Sequence, residues 1–208
     1  MLKKIIKLMA GSTLASFGVV CVINAGLGCF SITAANAALA NWTGLTIGIA
    51  GMIVELIMLA IATWQGEGLG IASVVNATYG SIMVDVFIPI LPVSPYMILG
   101  VFLLPIAWAM MGSVGLGENG SNTLMNAILK KTKFNISTIR SVQEVLFLII
   151  GFLGARNFVT PFTFVLVFGL GPLIQITYKL IKFEPTKVKH QYFIKLSTDN
   201  KLFTAFKK

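Results

Sequence analysis

The sequence predicts an all-α, polytopic membrane protein: six transmembrane helices as two inverted three-helix repeats, each with a re-entrant half-helix after Gly-Leu-Gly. Three observations predict it. Charged residues make up 11% of the chain against 56% hydrophobic, with a mean hydropathy of +0.89, where a soluble domain carries about 25% charged residues. Apolar runs of about 20 residues, enough to cross a bilayer, recur along most of the length. Finally, Gly26-Leu27-Gly28 returns as Gly115-Leu116-Gly117. Each time it follows one apolar run and precedes another that carries a glutamate, Glu55 or Glu144.

In order, the runs cover roughly 5–24, 45–64, 69–91, 95–113, 136–155 and 158–180. Glu67 and Gly68 divide the second from the third, Pro92 and Pro95 the third from the fourth, and Arg156 with Asn157 the last two. The first run follows Lys3, Lys4 and Lys7, as a secretory signal would. It lacks a small-x-small cleavage site, and the residues before Cys29 form no lipobox, so it reads as a retained span. Cys21 and Cys29 have no CxxC or Cys/His spacing and read as small apolar residues. Segments 29–41 and 118–131 are helix-length, yet too short and too polar to span. Ser31, Thr33, Asn36 and Asn41 lie in one; Asn119, Ser121, Asn122, Thr123 and Asn126 lie in the other. A re-entrant half-helix fits, because irregular backbone at membrane depth survives only where protein or a cavity covers it. The alternative is an amphipathic segment lying on the surface.

Lysines set the expected orientation. The net charge of +9 is concentrated before the first run, at Lys130, Lys131 and Lys133, and at or beyond the last run from Lys179 to Lys208. The segments 25–44 and 91–95 carry no charge. Both termini are therefore expected on the cytoplasmic side, with Arg156 the one exception to the pattern. Basic residues placed this way suit membrane flanks and not a nucleic-acid surface. Sliding the chain by about 89 residues pairs Gly11 with Gly100, Ala38 with Ala127, Glu55 with Glu144 and Gly80 with Gly169, besides the two Gly-Leu-Gly turns. Three spans per copy is an odd number, so the copies are expected to be inverted. The organisation is 1–89 as the first membrane repeat, 90–180 as the second, and 181–208 as a basic cytoplasmic tail. In that tail Lys alternates with Tyr192, Phe193, Phe203 and Phe206, which fits either an interfacial segment on anionic lipid or a loose charged terminus.

Several stretches resemble the YczE family of bacterial integral membrane proteins and, more distantly, the YitT group. They are Leu116-Gly-Glu-Asn-Gly-Ser-Asn-Thr-Leu-Met125, Ser137-Thr-Ile-Arg140-Ser-Val-Gln-Glu144, Gly151-Phe-Leu-Gly154, Gly171-Pro172-Leu-Ile-Gln175 and the stretch from Gly70 through Asn76 to Asp85. The resemblance covers most of 1–180 and spares the tail. In that family a Pro-Arg-Asp run usually follows the second Gly-x-Gly; here Gly120, Ser121 and Asn122 stand in its place. The resemblance implies a multi-pass protein of the bacterial plasma membrane, often guessed to be a transporter, with no settled activity.

Glu55 and Glu144 each fall about 11 residues into a span, near the bilayer centre, where a carboxylate costs at least about 2.5–3.5 kcal/mol and normally faces a cavity or a partner. Arg140 precedes Glu144 by one helical turn, so a structural ion pair is one reading there. Glu55 has Gly51 at the same offset and no local cation, which makes it the better proton or cation site. Two carboxylates brought close about a pseudo-two-fold axis would not both ionise readily, a property that suits proton exchange. The half-helix amino ends would offer Gly28, Ser31, Thr33, Gly117, Gly120 and Ser121 as donors to an anion, although Gly and Ser more commonly serve close helix packing. Asp85 is expected near the outer end of its span, and Asn76 deeper, as an interhelical hydrogen bond or a ligand contact. The only histidine, His190, lies in the tail. Neither a His-based metal site nor a catalytic triad can be assembled, and no Walker-type loop is present, so neither enzyme chemistry nor a cofactor is expected.

The expected binding set is Glu55, Glu144, Arg140, Ser31, Thr33, Asn76, Ser121 and Asn122. The expected function is a secondary transporter or exporter of a small molecule or ion by alternating access, open to proton coupling, with lipid as its surroundings and room for a homo-oligomer. A non-transporting accessory of a partner complex is the alternative.

Overall fold

The computed structural model describes residues 1–134, 136–184 and 188–195. Lys187, Lys201, Phe203, Phe206, Lys207 and Lys208 of the predicted basic tail lie outside them. The chain is mostly helical. Helix α1, Leu2–Asn24, buries Gly11, Ala15 and Gly18. These small residues let it lie close against the helix Pro95–Gly112, which opens as a 3-10 turn at Pro95–Phe102 and continues as α6, Leu103–Gly112. At the crossing, a side chain on Gly18 would meet the Gly100 carbonyl at 3.0 Å. Close backbone approach of this kind is how membrane helices gain packing without a hydrophobic drive between them.

Helix α2, Ser31–Thr43, holds five alanines that favour the helix and bury it; Gly44, with φ of 74°, ends it in a left-handed turn. Helix α3, Ile47–Trp64, starts at Thr46, whose hydroxyl caps the Ile49 N–H at 3.2 Å. After strand β1, Gly68–Leu69, the third apolar run divides. Helix α4, Ile71–Val75, passes through a π turn at Asn76–Gly80 into α5, Ser81–Phe87. Gly80 sits where that segment meets α1: its carbonyl accepts the Ser16 hydroxyl at 2.7 Å. Helix α7, Gly120–Leu129, follows the second Gly-Leu-Gly, and α8 runs from Ile136 to Gly154. Helix α9, Pro161–Leu180, begins with a capping box of Thr160 and Thr163. A two-residue strand β2, Ile194–Lys195, closes the described chain.

Among the described residues, four helices are long and apolar enough to cross a membrane: Leu2–Asn24, Ile47–Trp64, Pro95–Gly112 and Pro161–Leu180. This is a membrane protein, with a count below the six expected. The stretch Ile71–Phe87 is a shorter apolar helix, since Pro89 and Pro92 stop it early. Helix α8 is long enough but is not among the four; Arg140, Gln143 and Glu144 make its first half polar. The main core joins α1, α2, α6 and α9 through Ala15, Val22, Phe30, Leu104 and Leu166. Cys21 and Cys29 are buried free thiols.

Candidate functional site

The two Gly-Leu-Gly turns use closely similar left-handed glycines. Gly26 and Gly115 both have φ of 69°, while Gly28 and Gly117 have 118° and 108°. These are left-handed values that only glycine adopts cheaply. Each turn rests on the head of a helix from the other half of the chain. The Thr160 hydroxyl, at the start of α9, donates to the Leu27 carbonyl, and Cys29 N–H donates to Phe158 O at 3.2 Å. In the second turn Ala72 N–H, at the start of α4, donates to the Leu116 carbonyl at 2.8 Å. Leu27 and Leu116 stand 89 residues apart, and Ala72 and Thr160, which bond them, 88 apart.

The short helices that follow are exchanged in the same way. Helix α2 packs chiefly on α8, where Gly151 and Gly154 make room for Ala34 and Ala38, and α7 packs chiefly on α3. Helix α2 buries Ser31, Thr33, Ala34, Ala35, Ala37, Ala38 and Ala40, and α7 buries Gly120, Ser121, Thr123 and Ala127. Each receives a glutamate at its amino end. Ser31 at the start of α2 donates its hydroxyl to Glu144 Oε2 on α8. Gly120 at the start of α7 donates its N–H to Glu55 Oε2 on α3 at 2.6 Å. A side chain on Gly120 would come within 2.6 Å of that carboxylate, so a glycine there lets Glu55 reach the backbone itself. Hydrogen bonds of this charged type contribute about 1.5–3 kcal/mol each, and the partial positive charge at a helix amino end adds to them.

Arg140 lies between the two seats. Its Nε is 3.0 Å from Glu144 Oε1, and its Nη1 reaches Ser121 Oγ at 3.1 Å and Asn122 Oδ1 at 3.5 Å on α7. Gln143 donates to the Ser121 carbonyl at 3.3 Å. The structure thus gathers Glu55, Glu144, Arg140, Ser31, Ser121 and Asn122. Two further candidates fall elsewhere. Thr33 lines a separate small cavity with Asn36, and Asn76 opens the π turn on the segment packed against α1 and α3. The amino ends of α2 and α7 are each reached by one of the protein's own carboxyl groups. Asp85 is likewise engaged, accepting from the Thr46 hydroxyl and from Gly48 N–H at 2.7 Å.

The tail supplies what sequence reasoning missed. Residues 188–195 form a strap over the second turn. Gln191 N–H donates to Gly115 O at 2.7 Å, Gly117 N–H donates to His190 Nδ1 at 3.3 Å, and His190 Nε2 lies 3.5 Å from Glu118 Oε1. Strand β2 then pairs antiparallel with β1. Burial of the Tyr192 phenol against this surface, with the charges of Glu118 and Glu67 nearby, raises its pKa above the ordinary 10.0. Two-residue strands leave no periodicity to read, and a histidine in a lysine-rich stretch carried no partner signal. Below the strap, the buried Glu67 pairs with Lys130 at 2.6 Å.

Taken together, these features define a polytopic helical membrane protein whose two glycine turns and two short buried helices are seated across the halves of the chain. The chain belongs to DUF6198, a family of unknown function, whose model matches residues 2–187. No curated protein and no solved structure matches it. The strap residues 188–195 lie beyond the matched range.

Proposed function

We propose that this protein is a secondary transporter, moving a small solute or ion across the bacterial plasma membrane by alternating access, with Glu55 as its proton site. The carrying observation is the exchanged seating: Glu55 holds the amino end of α7, and Glu144 holds that of α2. Glu55 and Glu144 occupy equivalent positions in the repeat register, as do Ser31 and Gly120. That correspondence, the matched left-handed glycines and the matched carbonyl contacts at Leu27 and Leu116 support two inverted copies, 1–89 and 90–180, followed by the tail. In this reading Ile71–Phe87 and α8 complete the six spans, α2 and α7 are the re-entrant half-helices, and both termini face the cytoplasm with Lys130, Lys131 and Lys133. The resemblance to the YczE family points the same way.

The two seats differ in chemistry, and the difference supplies a mechanism. Glu144 is bound to a guanidinium and a hydroxyl, so it serves as a fixed strut. Glu55 is held by one backbone N–H, a bond that a carboxylate makes strongly and a neutral carboxyl weakly. Proton uptake at Glu55 therefore loosens α7 from α3, while α2 stays on α8. A loosened α7 opens one face of the site, and deprotonation reseats it. The test is proton movement into dye-loaded proteoliposomes as small solutes are added outside. Wild type moves protons with at least one solute, and Glu55→Gln falls to the level of empty liposomes. Equal proton movement in wild type and Glu55→Gln overturns the assignment. A wild type that moves none, yet copurifies with one partner in fixed ratio, is the accessory protein instead.

A further inference from the structure

A small cavity of ≈ 40 Å³ lies between α2, α3 and α5, lined by Thr33, Asn36, Gly48, Gly51 and Ser81 together with Val19, Ile47 and Val84. We propose that it is a binding site for a monovalent cation of about the size of Na⁺; the argument rests in part on the repeat register used above. Three observations carry it. First, Asn36 Oδ1 is buried with no hydrogen-bond donor. A buried amide oxygen without a partner costs about 1–3 kcal/mol unless something in the cavity satisfies it. With the hydroxyls of Thr33 and Ser81, the lining offers hard, neutral oxygen donors, the ligand type that hard cations take.

Second, a carboxylate stands beside the cavity. Asp85 lies one turn beyond Ser81 on α5, and its Oδ2 is 2.6 Å from where a side chain on Gly48 would begin. Its hydrogen-bond donors, the Thr46 hydroxyl and Gly48 N–H, are both neutral, so its charge keeps an attraction for a cation. One carboxylate with neutral oxygens matches a single positive charge and not a double one.

Third, the same place in the second half already holds a cation. Gly51 is matched with Arg140 in the repeat register. The Arg140 guanidinium lies against Ser121 and Asn122 of α7, and Asn122 is the counterpart of Thr33. In the first half glycine leaves that space open, and a side chain on Gly51 would come within 2.8 Å of Asn36 Nδ2, so the amide must turn over for Oδ1 to face an ion there. The second half carries its cation covalently; the first takes one from solution. Water alone fits the volume, but it answers neither the Asp85 charge nor the correspondence with Arg140.

The test is thermal unfolding of the full-length purified protein in NaCl, KCl or choline chloride at equal ionic strength. A saturable rise of about 3–5 °C with Na⁺ over choline is expected. Thr33→Val and Ser81→Ala should each raise the half-saturating Na⁺ concentration about tenfold. Thr78→Val, which alters the same segment outside the cavity, should leave it unchanged. Equal unfolding temperatures of wild type in all three salts overturn the proposal and leave a water cavity. A Na⁺ effect that survives both cavity variants overturns it too, by placing the ion elsewhere. Glu55→Gln should keep the Na⁺ effect while losing proton movement, so the cation site and the transport reading fail separately.

Discussion

The first Gly-Leu-Gly turn leaves Leu27 39% exposed, while the second buries Leu116 to 2%. The φ angles of their glycines nearly agree, so the difference comes from what each turn meets. The first contacts the head of α9 and otherwise ends at the molecular surface. The second contacts the head of α4 and then lies under the strap of residues 188–195. The glutamates repeat the contrast: Glu144 has Arg140 one turn away, whereas Glu55 has Gly51 there. One half of the chain is held by charge and covered; the other keeps an open turn, a cavity and a carboxyl group on a single backbone bond. Under the proposed function, the half with fewer ties is the one that responds to a proton or an ion.

The largest effect should come from breaking the tied half. Arg140→Ala strips Glu144 of its cation and Ser121 of a donor, and should destabilise the fold by about 2–3 kcal/mol. That lies below the range for a fully buried pair, because Arg140 is partly exposed. Gly51→Ala, its counterpart, meets only the end of the Asn36 side chain and should cost about 1 kcal/mol. Denaturant unfolding checks both, and the reverse order would remove the asymmetry. Next come Gly117→Ala and Gly28→Ala, each forcing a non-glycine residue into left-handed backbone at about 1–2 kcal/mol. Gly117→Ala should be the worse, since its new methyl faces the Gly70 backbone at 2.9 Å, whereas that on Gly28 meets the side chains of Thr160 and Thr163.

A smaller pair of substitutions isolates the strap. Gly26 has open space where a side chain would go, while Gly115 has the Lys189 carbonyl at 2.8 Å. Both alanine variants bear a backbone cost of about 1 kcal/mol, but only Gly115→Ala should release residues 188–195, seen as faster amide exchange at Gln191 and Phe193. The smallest effect is a pH dependence. The docked strap favours the neutral Tyr192 phenol, so its contribution is complete below about pH 10 and is lost as pH rises through the raised value. In Gly115→Ala the phenolate absorbance of Tyr192 should appear at lower pH than in wild type.

The elements that the sequence disclosed were those with local causes. Left-handed glycines, an alanine run and an Arg–Glu pair one turn apart all act within a few residues, so both turns, both short helices and the Arg140–Glu144 contact were legible. The π turn at Asn76 was hidden, because the apolar run around it has no residue that marks a change of helical pitch. The exchanged seats were hidden for another reason: Ser31 and Glu144 meet only through packing, and no spacing rule joins residues so far apart. The strap combined both problems, with strands too short to alternate and a histidine partner on another element.

The exchanged seating also sets an order of assembly. During synthesis α2 leaves the ribosome about 100 residues before α8, the helix that receives it. Helix α3 must likewise wait for α7 to cover Glu55. Neither half can finish alone, so the two halves expressed as separate chains should each be degraded, yet accumulate when produced together. The exchanged contacts make the chain one folding unit, in which the first half stays unfinished until the second is made.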